Sequence, residues 1–216
     1  MAVSKDARRL VAAVLVAAAL WVYMFSPWTA AWPNFWLVMS CSAVILTSLA
    51  MAFTSERKEL AKIEKPLLQL LAGVAIAFVL WGIFWVGDKL SALMFNFARP
   101  EVDAVYAMKH GLPPYAIALL LLFLIGPAEE FFWRGYVQRS LSRLLPGKRP
   151  EDLAFVITAL VYALVHVWSF NFMLVMAALV AGVVWGFIYR LCPRALPALI
   201  VSHALWDALV FVILPI

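Results

Sequence analysis

The sequence predicts an all-α fold, a polytopic transmembrane helical bundle of about seven spans with one further interfacial element. Hydrophobic residues make up 66% of the chain and charged residues only 13%, against about 25% charged residues in a typical soluble domain. The apolar residues fall in long blocks, near the roughly 20 residues that a helix needs to cross a bilayer. The weak alternation of a membrane β-barrel is absent. We therefore expect an integral membrane protein surrounded by lipid.

Seven apolar blocks predict the spans in chain order. Prolines and charged connections separate these blocks, and the fourth block contains acidic residues near its middle. The predicted spans are Leu10 to Ala31, Phe35 to Phe53, Leu67 to Val86, Pro114 through Glu129 toward Gln138, Leu153 to Trp168, Phe172 to Tyr189, and Ala195 to Leu214.

The segment from Lys89 to Gly111 differs from the spans because it mixes apolar with charged residues. This pattern predicts an interfacial amphipathic helix or a lid, which would be the eighth element. Pro100 argues against one continuous helix through it. We divide the single membrane domain into residues 1–113, with the N-terminal helices and this amphipathic outer segment, and residues 114–216, the catalytic helical core.

Basic residues predict the orientation of the bundle. Lys and Arg concentrate in the N-terminal tail and in alternate connections, whereas the turns near Trp32 and Ser169 carry none. Cytoplasmic loops collect Lys and Arg, so the N-terminus is expected in the cytoplasm and the C-terminus outside. The same rule accounts for the net charge of +5, and no nucleic-acid partner is expected. The basic residues are Lys5, Arg8, Arg9, Arg57, Lys58, Lys62, Lys65, Arg139, Arg143, Lys148, Arg149, Arg190 and Arg194.

Three predicted spans carry ionisable side chains, which in a membrane mark function or an obligatory internal pair. The fourth span contains Gly126-Pro-Ala-Glu-Glu-Phe-Phe-Trp-Arg-Gly. The fifth and seventh spans each carry a polar pair four residues apart, and such pairs share one helical face. The side chains concerned are Glu129, Glu130 and Arg134, then Tyr162 with His166, then His203 with Asp207.

These three polar stripes are expected to meet in one cavity. At about 1.5 Å per residue, counting from the nearest basic loop puts Glu129, His166 and His203 in the inner half or the middle of the bilayer. The sequence therefore predicts an active site that opens to the cytoplasmic side.

The residue types indicate hydrolysis of an amide. A carboxylate beside a histidine can deprotonate a water, and a His–Asp pair can hydrogen-bond a developing oxyanion. Glu130, paired with Arg134, would stay ionised and structural. Glu129, on the adjacent face, would be free to act as the base.

The chain from about Pro114 to Leu214 resembles the CPBP superfamily, which includes type II CAAX prenyl endopeptidases and bacterial homologues linked to bacteriocin processing or self-immunity. The resemblance is carried by Glu-Glu-x-x-x-Arg, then aromatic-x-x-x-His, then His-x-x-x-Asp on successive spans. It implies an intramembrane endopeptidase that acts on a membrane-associated protein or peptide tail. The bacterial homologues suggest a bacterial inner or plasma membrane.

The resemblance also implies roles for the motif residues. Glu129 corresponds to the glutamate that activates water, with His166 as its partner. Glu130 and Arg134 correspond to a supporting pair, while His203 and Asp207 correspond to the pair that stabilises the oxyanion.

Two residues depart from the common pattern of that family. Tyr162 stands where Phe is common, and it would orient His166 or simply pack. Asp207 stands where the prenyl endopeptidases have Asn. An ionised Asp cannot donate a hydrogen bond, so Asp207 would orient His203 and leave that histidine as the donor.

Two other functions remain open. A glutamic-type endopeptidase would need no cofactor, but Glu129, His166 and His203 plus a water would also suit zinc, although the HExxH pair of many zinc proteases is absent. A non-catalytic membrane binding or immunity protein with the same fold is the third candidate. A serine protease is not indicated because no GxSxG motif occurs.

Overall fold

The structure is a computed structural model that describes residues 4–32, 34–54, 56–60 and 62–216. Seven helices in these ranges are long and apolar enough to cross a membrane, which confirms the predicted all-α polytopic bundle. A short helix in a basic loop and a helix after the third span complete the helices of this part of the chain. We number them α1 (Lys5–Phe25), α2 (Phe35–Phe53), α3 (Arg57–Leu60), α4 (Pro66–Met94), α5 (Ala98–Ala107), α6 (Pro114–Leu144), α7 (Pro150–Ser169), α8 (Phe172–Leu191) and α9 (Pro193–Ile213).

Helix α6 is longer and less regular than the sequence predicted. It runs for 31 residues, or about 46 Å at 1.5 Å per residue, against a hydrocarbon core of about 30 Å. Wider π-helical turns occur at Leu121–Ile125 and Phe131–Gln138, on either side of the short α-helical stretch Gly126–Glu130. Such turns change which face of a helix a side chain occupies and are frequent at functional sites.

Helices α6 and α9 pack closely against each other. Gly126 of α6 lies so close to Ala204 of α9 that a Cβ on the glycine would stand 2.6 Å from the alanine Cα. A Cβ added to Gly73 of α4 would likewise stand 2.6 Å from the Ala198 carbonyl oxygen of α9. Small residues at membrane helix crossings allow such approach of two backbones. Helix α9 therefore lies between α4 and α6, and its polar residues face α6.

The connections separate into two ends of the bundle. At one end, which we call the basic end, the loops 54–65, 145–149 and the turn before Pro193 are joined by ion pairs. Arg139 pairs with Glu59 at 2.7 Å and with Glu56, and Arg190 pairs with Asp152. The alternate connections, including α5 and the turn at 170–171, lie at the other end with the C-terminus, and we call this the α5 end.

The amphipathic segment forms a helix that is anchored at several points. Helix α4 continues to Met94, and α5 follows with Pro100 in its first turn, where a missing backbone N–H costs no helical hydrogen bond. Arg99 pairs with Asp88 of α4 at 3.1 Å. The Tyr106 hydroxyl donates to the Val210 carbonyl of α9 at 2.9 Å. These contacts tie α5 across the ends of the neighbouring spans.

Candidate active site

The three polar stripes predicted from the sequence meet around one cavity. The cavity has a volume of about 500 Å³, within the range of pockets that hold small ligands or a few side chains. Five of the predicted residues line it, and the other two lie buried directly behind the wall. The lining residues are Glu129, Tyr162, His166, His203 and Asp207, and the buried pair is Glu130 and Arg134.

Glu129 presents a carboxylate to this largely apolar space. Its side chain is 6% exposed, and its Oε2 accepts a hydrogen bond from the Tyr162 hydroxyl at 3.1 Å. Among the described residues, no group hydrogen-bonds the other oxygen, Oε1. Glu129 therefore has one oxygen held in place and one directed to whatever enters the cavity.

Glu130, the next residue, is fully buried and is paired through one of its two carboxylate oxygens. Its Oε2 accepts from Arg134 Nη1 at 3.1 Å, as the i, i+4 spacing predicted, and lies 3.0 Å from His203 Nδ1. Arg134 also donates from Nη2 to the Gly182 carbonyl of α8 at 3.2 Å. All of these side chains are buried. The ion pair thus links α6, α8 and α9 and is unavailable as a water-activating base.

His203 lies between two carboxylates. Its Nδ1 contacts Glu130, and its Nε2 lies 3.6 Å from Asp207 Oδ2 one helical turn away. The ring stacks on Trp185 of α8, with 4.0 Å between centroids and an 18° angle between planes. An imidazole with an acceptor at each nitrogen donates from both only when the ring is protonated. The Nε2 side faces the cavity with Asp207.

His166 is held by two hydrogen bonds, neither of them to Glu129. Its Nδ1 lies 2.8 Å from the Tyr162 carbonyl, and its Nε2 lies 3.0 Å from the indole Nε1 of Trp21. A carbonyl can only accept and an indole N–H can only donate. The ring is therefore the neutral tautomer that carries its proton on Nδ1. The resemblance implied His166 as the partner of Glu129, and in the structure the hydrogen bond to Glu129 comes from Tyr162.

Trp21 is a site residue that the sequence analysis missed. It lies on α1 and is 1% exposed, while the first spans carry no motif. A tryptophan in an apolar helix looks the same in sequence whether it faces lipid, core or a histidine, so no sequence signal distinguished it.

The cavity lies in the half of the bundle that is distant from the basic end. Its walls include the C-terminal ends of α1 and α4, α5, the first turns of α8 and the C-terminal residue of the chain. Representative residues are Phe25, Ser91, Tyr106, Phe172 and Ile216. The sequence analysis instead predicted an opening on the side of the basic loops.

The long helix α6 explains this difference. The depth of Glu129 was counted from Arg139, but α6 exceeds the bilayer thickness and Arg139 does not mark a fixed surface. His166 lies near the last turn of α7, 16 residues after Pro150, or about 24 Å along the helix. The cavity therefore extends from the middle of the bundle toward the α5 end.

The residues suggested as zinc ligands do not form a ligand set. Among the described residues, no three His, Cys, Asp or Glu side chains are grouped as a metal site would require. The Nε2 lone pair of His166 accepts from Trp21, and its other nitrogen carries the proton. A ligating histidine must offer a free lone pair. The arrangement does not fit the zinc alternative without rearrangement of Trp21.

Comparison with known proteins agrees with the motifs at the cavity. Residues 111–209 match the family model described as "Rce1-like: Type II CAAX prenyl endopeptidase Rce1-like". No match was found among curated proteins or among solved structures. The family supports a hydrolase of the CAAX-type intramembrane protease class, and the seven apolar helices support an integral membrane protein. The resemblance seen in the three motifs is thus confirmed, and residues 111–209 are the Rce1-like segment of this chain.

Proposed function

We propose that this chain is an intramembrane endopeptidase of glutamic type, which hydrolyses a peptide bond in a membrane-associated protein or peptide tail. One observation carries the proposal: Glu129 lines the apolar cavity with a carboxylate oxygen that no group among the described residues hydrogen-bonds, while Glu130 is fully buried and paired with Arg134 and His203. Two adjacent carboxylates in different surroundings suit different roles. Glu129 is the base, and Glu130 is structural.

The proposed reaction begins with a water bound between Glu129 Oε1 and the substrate carbonyl. Glu129 takes a proton from this water as the water oxygen attacks the carbonyl carbon. The carbonyl oxygen becomes an oxyanion, toward which the proton on His203 Nε2 can turn from Asp207, while Glu130 holds the ring through Nδ1. Glu129 then gives its proton to the leaving nitrogen as the C–N bond breaks.

His166 acts in this scheme as a positioning residue. It is hydrogen-bonded to the backbone of Tyr162, whose hydroxyl in turn holds Glu129. The help that His166 gives to Glu129 therefore passes through Tyr162. Replacement of either His166 or Glu129 by Ala is expected to abolish cleavage while membrane insertion continues.

We further propose that the cavity is loaded from the non-cytoplasmic side of the membrane. Positive-inside logic puts the basic end in the cytoplasm, and the cavity walls belong to the α5 end. A test uses single cysteines in a chain whose two exposed native cysteines, Cys41 and Cys192, are changed to Ser. In intact cells, a membrane-impermeant maleimide should label Ser91→Cys in the cavity wall but not Lys148→Cys at the basic end. The reverse pattern would overturn this orientation.

The direct test of the activity is cleavage by the purified protein in detergent. The substrates are a panel of lipidated and plain transmembrane-tail peptides, with and without a chelator. Cleavage that persists with chelator and is lost in Glu129→Ala supports the proposal, with Glu59→Ala, an exposed acid at the basic end, as the matched control. Loss with chelator and recovery with zinc would favour the metalloprotease. Failure to cleave any peptide would favour the non-catalytic binding protein.

A further inference from the structure

We propose that the Tyr162 hydroxyl is a catalytic hydrogen-bond donor, which stabilises the oxyanion formed during peptide hydrolysis. This inference rests on the proposed function and deepens it by adding a residue to the reacting site. An oxygen that becomes negatively charged near Glu129 needs a hydrogen-bond donor in the cavity wall.

Most polar groups near Glu129 have no free proton to donate. Both nitrogens of His166 are already hydrogen-bonded. Arg134 is fully buried behind the wall and donates to Glu130 and to Gly182. Asp207 is an acceptor when ionised. His203 Nε2 faces Asp207, and among the described residues the Tyr162 hydroxyl is the donor that contacts the Glu129 carboxylate itself.

The Tyr162 ring is held rigidly by its surroundings. Trp133 contacts it edge-on with 5.3 Å between ring centroids, and the Arg134 guanidinium lies 5.1 Å from its centroid. On the far side is Gly182, where an added Cβ would stand 3.1 Å from Tyr162 Cδ1. The hydroxyl is therefore preorganised, and fixed donors stabilise developing charge more effectively than mobile ones.

The Tyr162 hydroxyl becomes free to donate at the step in which the oxyanion forms, because charge then leaves Glu129. At rest it donates to Glu129 Oε2 at 3.1 Å. When Glu129 accepts the proton of the attacking water, its negative charge is transferred to the substrate carbonyl oxygen. A neutral carboxylic acid is a weaker acceptor than an oxyanion. Rotation about the Tyr162 Cζ–O bond then redirects the O–H to the oxyanion, while Tyr162 keeps its proton throughout.

The central experiment compares Tyr162→Phe with the parental protein on a cleaved peptide of the panel. Because only the hydroxyl is removed, the packing of the ring is retained. Removal of one oxyanion donor should lower kcat by about 10²- to 10³-fold with little change in KM. Tyr115→Phe is the matched control, because Tyr115 is 71% exposed on the same helix as Glu129 and should leave kcat unchanged.

Two further readouts separate a donor to the oxyanion from a residue that merely positions Glu129. Tyr162→Phe also removes a hydrogen bond from the Glu129 carboxylate, so the acid limb of the pH–kcat profile moves in either case. A donor to the oxyanion additionally lowers the plateau of kcat above this limb, whereas a contact that acts only on the ionisation of Glu129 leaves the plateau unchanged. In the Tyr162→Phe background, Asp207→Asn introduces an amide N–H on the cavity wall and should restore at least a part of kcat. A plateau of kcat equal to that of the parental protein, or a double variant as slow as Tyr162→Phe, would overturn the proposal.

Failure of this inference is distinguishable from failure of the proposed function. If the parental protein cleaves and Tyr162→Phe cleaves equally fast, only the inference is overturned. If the parental protein cleaves no peptide of the panel, the endopeptidase proposal is rejected and the role of Tyr162 with it. Thermal unfolding in detergent verifies that each variant is folded.

Discussion

The indole N–H of Trp21 donates to Nε2 of His166 at 3.0 Å, across 145 residues of sequence. This contact connects the first span, which has no motif, with the catalytic half of the chain. Together with the hydrogen bond from His166 Nδ1 to the Tyr162 carbonyl at 2.8 Å, it fixes the tautomer and the direction of the ring. Helix α1 thus contributes a contact to the candidate active site.

Trp21→Phe is expected to weaken activity by loosening His166. The smaller ring of Phe fills only a part of the indole site and loses the donor; one hydrogen bond contributes about 0.5–1.5 kcal/mol, or up to roughly tenfold in rate. The same variant should change the ¹⁵N shifts of one histidine, which is readily assigned because the chain has three. Trp28→Phe is the control, since Trp28 is 65% exposed. Unchanged histidine shifts in Trp21→Phe would contradict the contact.

Loss of Arg134 should destabilise the whole bundle. Its guanidinium is 0% exposed and neutralises Glu130, which is equally buried. Removal of one partner of a buried ion pair leaves an uncompensated charge and costs about 3–5 kcal/mol. Arg134→Gln should therefore unfold at a clearly lower temperature in detergent. Arg149→Gln is the control, because its side chain is 74% exposed and such surface pairs contribute about 0–1 kcal/mol. Equal effects of the two variants would contradict the buried pair.

A methyl group at Gly126 should separate α6 from α9. The added Cβ would stand 2.6 Å from the Ala204 Cα, so the two backbones must move apart and carry Glu130 away from His203. Gly126→Ala is expected to lower both thermal stability and cleavage. Gly82→Ala is the matched control, since a Cβ there meets nothing within 4 Å and Ala is the better helix former by about 1 kcal/mol. If Gly126→Ala were as stable as Gly82→Ala, the close crossing would be wrong.

The basic end provides a prediction about pH. The guanidinium groups of Arg143 and Arg139 lower the pKa of Glu56 from an ordinary 4.5 to about 2. A carboxylate with a depressed pKa in the folded state stabilises the fold above its unfolded pKa. This contribution is complete above pH 4.5 and is lost progressively as the pH falls toward 2.

The measurement is the difference in thermal stability between the parental protein and Glu56→Gln across this pH range. The difference should be largest above pH 4.5 and should shrink toward pH 2. Glu151→Gln is the control, because Glu151 forms no ion pair among the described residues. A difference that stayed constant, or grew, as the pH fell would contradict the ion pairs of Glu56.

Hydropathy was sufficient to predict the spans, because a bilayer imposes a length and an apolar composition on each helix. The i, i+4 rule likewise predicted the Glu130–Arg134 pair, since both residues lie on one helix. Contacts between different helices could not be predicted in this way. The donation from Tyr162 to Glu129 and that from Trp21 to His166 depend on helix rotation and crossing, which a single sequence does not encode locally.

The end of the bundle toward which the cavity extends could not be predicted from the sequence, for a physical reason. Depth was counted from Arg139 as though each helix began at the membrane surface. Helix α6 contains two π-helical stretches and is longer than the bilayer is thick. Neither property leaves a hydropathy signal, so residue counting does not determine the end of the bundle toward which the cavity extends.

The most direct test of the account is the kcat of Glu129→Gln on a peptide that the parental protein cleaves, with chelator present throughout. The substitution keeps the size of the side chain and its acceptor for the Tyr162 hydroxyl, but removes the base. Loss of a general base should lower kcat by about 10²- to 10⁴-fold while the thermal stability in detergent is retained. Cleavage by a folded Glu129→Gln variant at the parental rate would contradict the assignment of Glu129 as the residue that activates water.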